Sequence, residues 1–183
     1  MKNKKHFPVF AGLCAAAAAL SVAASGPGAD AAVSCAAMCV LAYAAIVDIE
    51  IMEIPDGAHA ALIVLAAFQM MTGSDISLLS RIAGALAVSL PMLAFDCAAF
   101  EAFGGGDIKL CAACGFFLGI DALLTGFFIS VTAAGIFAAV MLAAGKMERR
   151  QYFAFGPFLA GGMSAAVLAG GRIWDACAGA FFT

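Results

Sequence analysis

Residues 122–144 read ALLTGFFISVTAAGIFAAVMLAA, a run of 23 positions without an ionisable side chain. As an α-helix this run is long enough to cross a hydrocarbon core, which takes about 20 apolar residues. Working outward from it, comparable runs fall at 8–25, 31–48, 57–72, 79–99, 108–120 and 155–171, each broken off by glycine, proline or charge. The run at 108–120 is the shortest, with its boundary near Asp121. Strand-like alternation is absent. The pattern predicts an all-α fold, a polytopic transmembrane helix bundle of about six to seven spans.

Composition agrees. The chain has 183 residues, is 65% hydrophobic, has a mean hydropathy of +1.07, and carries only 11% charged residues. A soluble domain carries roughly 25%. The bilayer is thus the first partner, and the absence of a basic patch excludes nucleic acid. The seven cysteines lie in Ala-rich apolar runs, where Cys behaves as a small packing residue. Cys111 and Cys114 have no second pair to complete a zinc site, so no metal is expected. Abundant Ala, Gly and Ser suit close helix–helix approach.

Residues 1–30 form a segment of their own. Lys2, Lys4 and Lys5 precede an apolar run ending in Ala23-Ala24-Ser25-Gly26. This reads either as a secretory signal peptide or as an uncleaved first helix, and the polytopic remainder favours the helix. Residues 31–183 make the main transmembrane domain. With the N-terminus inside and seven spans, the inner loops hold Lys2, Lys4, Lys5, Lys109, Lys146, Arg149 and Arg150, leaving only Arg81 and Arg172 outside. That bias places loops 48–56 and 100–107 together on the cytoplasmic face.

Ionisable residues at membrane depth are expensive and mark function. Asp48 ends the second run, and Asp107 follows Gly104, Gly105 and Gly106 at the start of the fifth. Two carboxyls that approach one another do not both ionise easily, so one keeps its proton. A carboxylate that takes a proton from water beside a carboxylic acid that hydrogen-bonds a carbonyl suits peptide hydrolysis without a cofactor. The glycines leave the backbone free to take positive φ and to lie close to a substrate strand. A helix-capping role for Asp107 is the bland alternative.

The motifs in order are Asp48, Ile54-Pro55-Asp56, Gly104-x-Gly106-Asp107-x-Lys109-Leu110 and Phe155-Gly156-Pro157-Phe158. Together they resemble the type IV prepilin peptidase family across roughly 31–171, and Ala112, Gly115, Leu118 and Gly119 extend the likeness. The resemblance implies a membrane aspartyl endopeptidase that removes the basic leader peptide of prepilins or pseudopilins at the cytoplasmic face of a bacterial inner membrane. It implies Asp48 and Asp107 as catalytic residues and no cofactor. Nothing in the sequence matches the paired Cys-x-x-Cys domain of the large members, so the short, peptidase-only form is expected, without methylation.

Glu50 and Glu53 depart from the basic residues common in short members at that loop, and charge complementarity suggests that they bind a basic leader along with Gly104, Gly105 and Gly106. Asp56 is expected to cap the helix starting near Gly57, and it competes with Asp48 as the first acid. Asp96 reads as a helix-end residue or a third acid, and Glu101 as a loop residue. Lys109 reads as a headgroup anchor or as a charge near Asp107. His6 and His59 lack partners at ligand spacing and read as structural. Two other classes remain: another Gly-x-Gly-Asp intramembrane protease, disfavoured because Tyr43 is not adjacent to Asp48, and a small transporter or assembly subunit with a proton site. Oligomeric state is not legible.

Overall fold

The computed structural model describes residues 7–26, 28–99, 104–146 and 153–182. The expected positions Lys2, Lys4, Lys5, His6, Glu101, Arg149 and Arg150 lie outside them, as does the side chain of Cys177. The described residues are all-α. The helices are α1 (Phe7–Ser25), α2 (Ala29–Ile51), α3 (Asp56–Met71), α4 (Leu78–Ala87), α5 (Ser89–Ala99), α6 (Gly105–Leu118), α7 (Ile120–Ala143) and α8 (Gly156–Phe182). Among the described residues, three helical stretches are long and apolar enough to cross a membrane: Ala29–Ile51, Leu78–Ala98 and Ile120–Ala143. Val9–Ala24, Asp56–Met71 and Gly156–Gly170 are shorter apolar helices. Large apolar side chains face outward all along the bundle, among them Val64, Leu79, Phe128, Ile136 and Val140. Such a surface suits lipid rather than water.

The expected single run 79–99 divides into α4 and α5 at Val88. Pro91 explains the break: it has no N–H to give, and its ring crowds the carbonyl one turn earlier. The Ser89 hydroxyl bonds back to Ala85 O. The boundary expected near Asp121 falls at Gly119, where a φ of +77° ends α6 and turns the chain into α7.

Helix α6 occupies the middle, in contact with α3, α4, α5, α7 and α8. Leu110, Cys111, Ala113, Cys114, Phe117 and Leu118 of this one helix are all buried. All six cysteines with described side chains are free, in keeping with their reading as packing residues. Close approach depends on missing side chains. Where α4 crosses α6, a Cβ on Gly84 would sit 2.6 Å from Gly115 O, with backbone on both sides.

Arg81 counts as a charge of the side away from the aspartates, but its surroundings are not those of a surface charge. It lies within α4, fully buried, and donates from Nη1 to Phe116 O and Phe117 O at 3.0 Å each. Its Nη2 reaches Gln69 Oε1 at 2.9 Å and Ser74 Oγ at 3.0 Å. The physical reason is that α6 has only 14 residues. Its last carbonyls end inside the bundle and need donors, and a cation also opposes the negative end of the helix dipole. The positive-residue bias therefore rests on Arg172 alone for the far side.

The chain alternates direction. The C-terminal end of α2 and the N-terminal ends of α3, α6 and α8 share one end of the bundle, where Asp48, Asp56, Asp107 and Gly156 meet. Ser77, Leu118, Asp121 and Arg172 line a cavity at the other end. The crossing of α4 and α6 offers a direct check. Gly84→Ala should lower stability by about 1–3 kcal/mol through overpacking, read as a fall in the unfolding midpoint in detergent. Gly135→Ala, with nothing within 4 Å of its Cβ, should leave the midpoint unchanged or raise it.

Candidate active site

The site begins where α2 stops. Met52 takes a left-handed φ of 54° and its N–H returns to Asp48 O at 2.8 Å, which closes the helix one turn beyond the aspartate. Glu53-Ile54-Pro55 then leads into α3. Ile54 is buried beneath the glycine segment, because a Cβ on Gly106 would come within 3.1 Å of Ile54 Cβ. This packing gives the Ile-Pro-Asp motif a structural reason: it is the floor on which the glycines rest.

Gly104 caps α6 with a φ of −68°, and Asp107 is the third residue of the helix, its N–H on Gly104 O at 3.0 Å. Two expectations are corrected here. Asp107 is not the N-cap, and Gly104, Gly105 and Gly106 do not take positive φ. Their value lies in the missing Cβ. A side chain on Gly104 would meet Asp107 Oδ2 at 3.1 Å, and one on Gly106 would press on Ile54. Asp107 Oδ1 is buried without a hydrogen-bond partner.

Asp48 is buried, and its Oδ2 accepts the N–H of Gly156 at 2.9 Å. Gly156 is the first residue of α8, and Pro157 sits in the first turn, where proline costs least. A Cβ on Gly156 would lie 2.6 Å from Asp48 Oδ2, so only glycine admits the carboxyl there. The Phe155-Gly156-Pro157 motif thus closes over Asp48 and offers it a free helix N-terminus.

These parts enclose a cavity of about 280 Å³ lined by Asp48, Met52, Glu53, Ile54, Asp56, Gly104, Gly105, Gly106, Asp107 and Lys109. Asp48 and Asp107, 59 positions apart in sequence, therefore line one cavity. Glu53 lines it as well, while Glu50 and Asp96 lie outside it. A larger cavity of about 580 Å³ sits at the opposite end of the bundle, away from both aspartates. Among the described residues no group of three or more His, Cys, Asp and Glu is placed to hold a metal ion.

Asp56 does not cap α3, since Pro55 holds the N-cap position and no side-chain bond closes that end. Its exposed carboxylate instead accepts from Lys109 Nζ at 2.9 Å, so Lys109 pairs with an acid across the site mouth. His59, read from the sequence as structural, proves to lie next to the site. Its ring is buried and bonds Gly106 O at 3.2 Å, with Nδ1 at 3.5 Å from Asp56 Oδ1. The only sequence signal was the spacing of Asp56 and His59, which puts both on one face of a helix.

The type IV leader peptidase family model matches residues 35–139. The chain is 34% identical over 134 residues to the prepilin leader peptidase/N-methyltransferase of Bacillus subtilis (strain 168), covering 73% of this chain and 54% of that protein. It is 33% identical over 119 residues to the Neisseria gonorrhoeae protein of the same name, covering 62% of this chain and 40% of that one. The chain thus spans about half the length of the curated relatives it matches. No solved structure matches it at a significant level.

The bond between Asp48 and α8 is testable through stability alone. Asp48→Ala strands a buried N–H and should cost about 1–2 kcal/mol, as loss of an N-cap does. Asp48→Asn keeps an acceptor oxygen and should unfold close to the native midpoint. Equal midpoints for the Ala variant and the unaltered protein would contradict the bond.

Proposed function

The chain belongs to the type IV leader peptidase family, and from that premise we propose that it is a membrane aspartyl endopeptidase that cleaves the basic leader from prepilin-like or pseudopilin precursors. The single observation that carries this reading is the one cavity that Asp48 and Asp107 line together with the glycine segment. The proposal includes seven spans, with α4 and α5 together as one. It also sets the site at the cytoplasmic face of a bacterial inner membrane, as the bias in basic residues supports.

The chemistry follows from the two environments. Asp48 accepts a backbone N–H at the start of α8. Such a partner favours the carboxylate, so Asp48 takes the proton from the attacking water. Asp107 Oδ1 lacks a partner. In the acid form it donates to the scissile carbonyl, and the tetrahedral intermediate then collapses with proton return to the leaving amine. The substrate strand runs along Gly104, Gly105 and Gly106, where Gly105 has nothing within 4 Å of its missing Cβ. Glu53, on the cavity wall, meets the basic leader, and Glu50 lies farther out.

The deciding experiment is a leader-cleavage assay with purified protein in lipid. Asp48→Asn and Asp107→Asn should each lower kcat at least about a thousandfold while the protein stays folded. Full cleavage by both variants would sink the peptidase reading. Glu53→Lys should raise KM for a basic leader about threefold to tenfold with kcat little changed, and Glu50→Lys should do less. An unaltered KM in the Glu53 variant would remove it from leader recognition.

A further inference from the structure

His59 belongs to neither acid's side of the cavity. It does not line the space that holds Asp48 and Asp107. It lines instead an apolar groove of about 590 Å³ behind α6, with Ile63, Ala85, Ala113 and Phe116. From there its Nε2 reaches the carbonyl of Gly106 at 3.2 Å. A carbonyl can only accept, so Nε2 carries the hydrogen. The carbonyl of Gly106 is one half of a peptide unit whose other half is the nitrogen of Asp107. A bond to it fixes that peptide plane, and with it the direction in which the Asp107 side chain leaves the backbone.

Nδ1 lies 3.5 Å from Asp56 Oδ1 but makes no hydrogen bond, since the ring's hydrogen is on Nε2. Asp56 Oδ1 accepts instead from Lys109 Nζ at 2.9 Å, and Lys109 lies two positions after Asp107 on α6. Helix α3 is thus bonded to α6 on both sides of Asp107, by His59 to Gly106 and by Asp56 to Lys109. The glycines in the first turn of α6 have no side chains to pack it, and the His59 bond adds a restraint from outside the helix.

We propose that His59 is a positioning residue that sets Asp107 in its reacting orientation by holding the Gly106 carbonyl. The proposal rests on the reading of Asp107 as a reacting acid. His59 touches no reacting atom, so its effect falls on turnover rather than on substrate binding.

The test compares three variants of the full chain in lipid. His59→Phe keeps the ring volume and loses the donor. His59→Gln keeps an amide donor of similar reach, and His59→Asn has the same group one methylene shorter. Amide exchange over residues 104–110, read by mass spectrometry, reports the restraint without any need for activity. His59→Phe and His59→Asn should raise that exchange about fivefold to tenfold, the worth of one hydrogen bond. Both should lower kcat at least about tenfold with KM within about twofold, as small misplacements of a reacting group do. His59→Gln should recover most of both. Should the Phe variant fail to fold, the contrast between Gln and Asn decides alone. Native exchange in the Phe or Asn variant would overturn the proposal, and so would raised exchange with native kcat. An unaltered protein that cleaves no leader would instead count against the peptidase reading, with the exchange contrast still deciding whether His59 restrains the segment.

Discussion

A peptide group surrounded by lipid and packed side chains has no water to turn to, so each helix end inside this bundle must find its partner within the protein. Two buried ionisable residues meet that demand. Arg81 donates to the last carbonyls of α6, and Asp48 accepts the first N–H of α8. A third, the ring of His59, adds a bond to the Gly106 carbonyl, which the helix itself engages one turn on. All three are less than 7% exposed. Each would be costly to bury alone, and Arg81 and Asp48 are bound to backbone groups that would be costly to leave alone.

The site grows out of this arrangement. Helix α6 is too short to cross unaided, and Arg81 together with the Gly84 crossing fixes its far end and its height in the bundle. Asp107, at the near end, inherits that height. The carboxyl of Asp48 is fixed by a different helix, α8, through a glycine that leaves room for nothing else. The two acids are thus held by independent elements that meet at one cavity, which the glycine segment also lines. A pair built this way keeps its geometry because α2, α6 and α8 pack against other helices of the bundle, and catalytic groups on packed helices hold position better than groups on loops.

Much of this was legible in the sequence, for identifiable reasons. Long apolar runs announce helices by composition, so α2 and α7 fell within a few residues of their observed bounds. Asp48 and Asp107 stood out because few acids occur in so apolar a chain. Pro91 was visible but its break was not placed, since the run 79–99 has only Arg81 and Asp96 to interrupt it. The burial of Arg81 was not legible because its partners are carbonyls 35 and 36 positions away, which no side-chain pattern records. His59 read as structural without a partner for the same reason, its partner being a glycine carbonyl 47 positions on. Gly156 drew attention only through family resemblance, and its contact with Asp48 gives the physical cause: a Cβ there would overlap the carboxyl. What stays illegible in sequence is backbone-to-side-chain bonding across helices.

The central claim is that Asp48 and Asp107 meet at a single cavity. The most direct measurement replaces both with cysteine in a chain whose native cysteines are alanine, then treats the protein in lipid with a short bifunctional thiol reagent. Asp48→Cys with Asp107→Cys should cross-link efficiently, while Asp48→Cys with Asp121→Cys, at the opposite end of the bundle, should not. Failure of the first pair to link, with both thiols shown to react singly, would contradict the account.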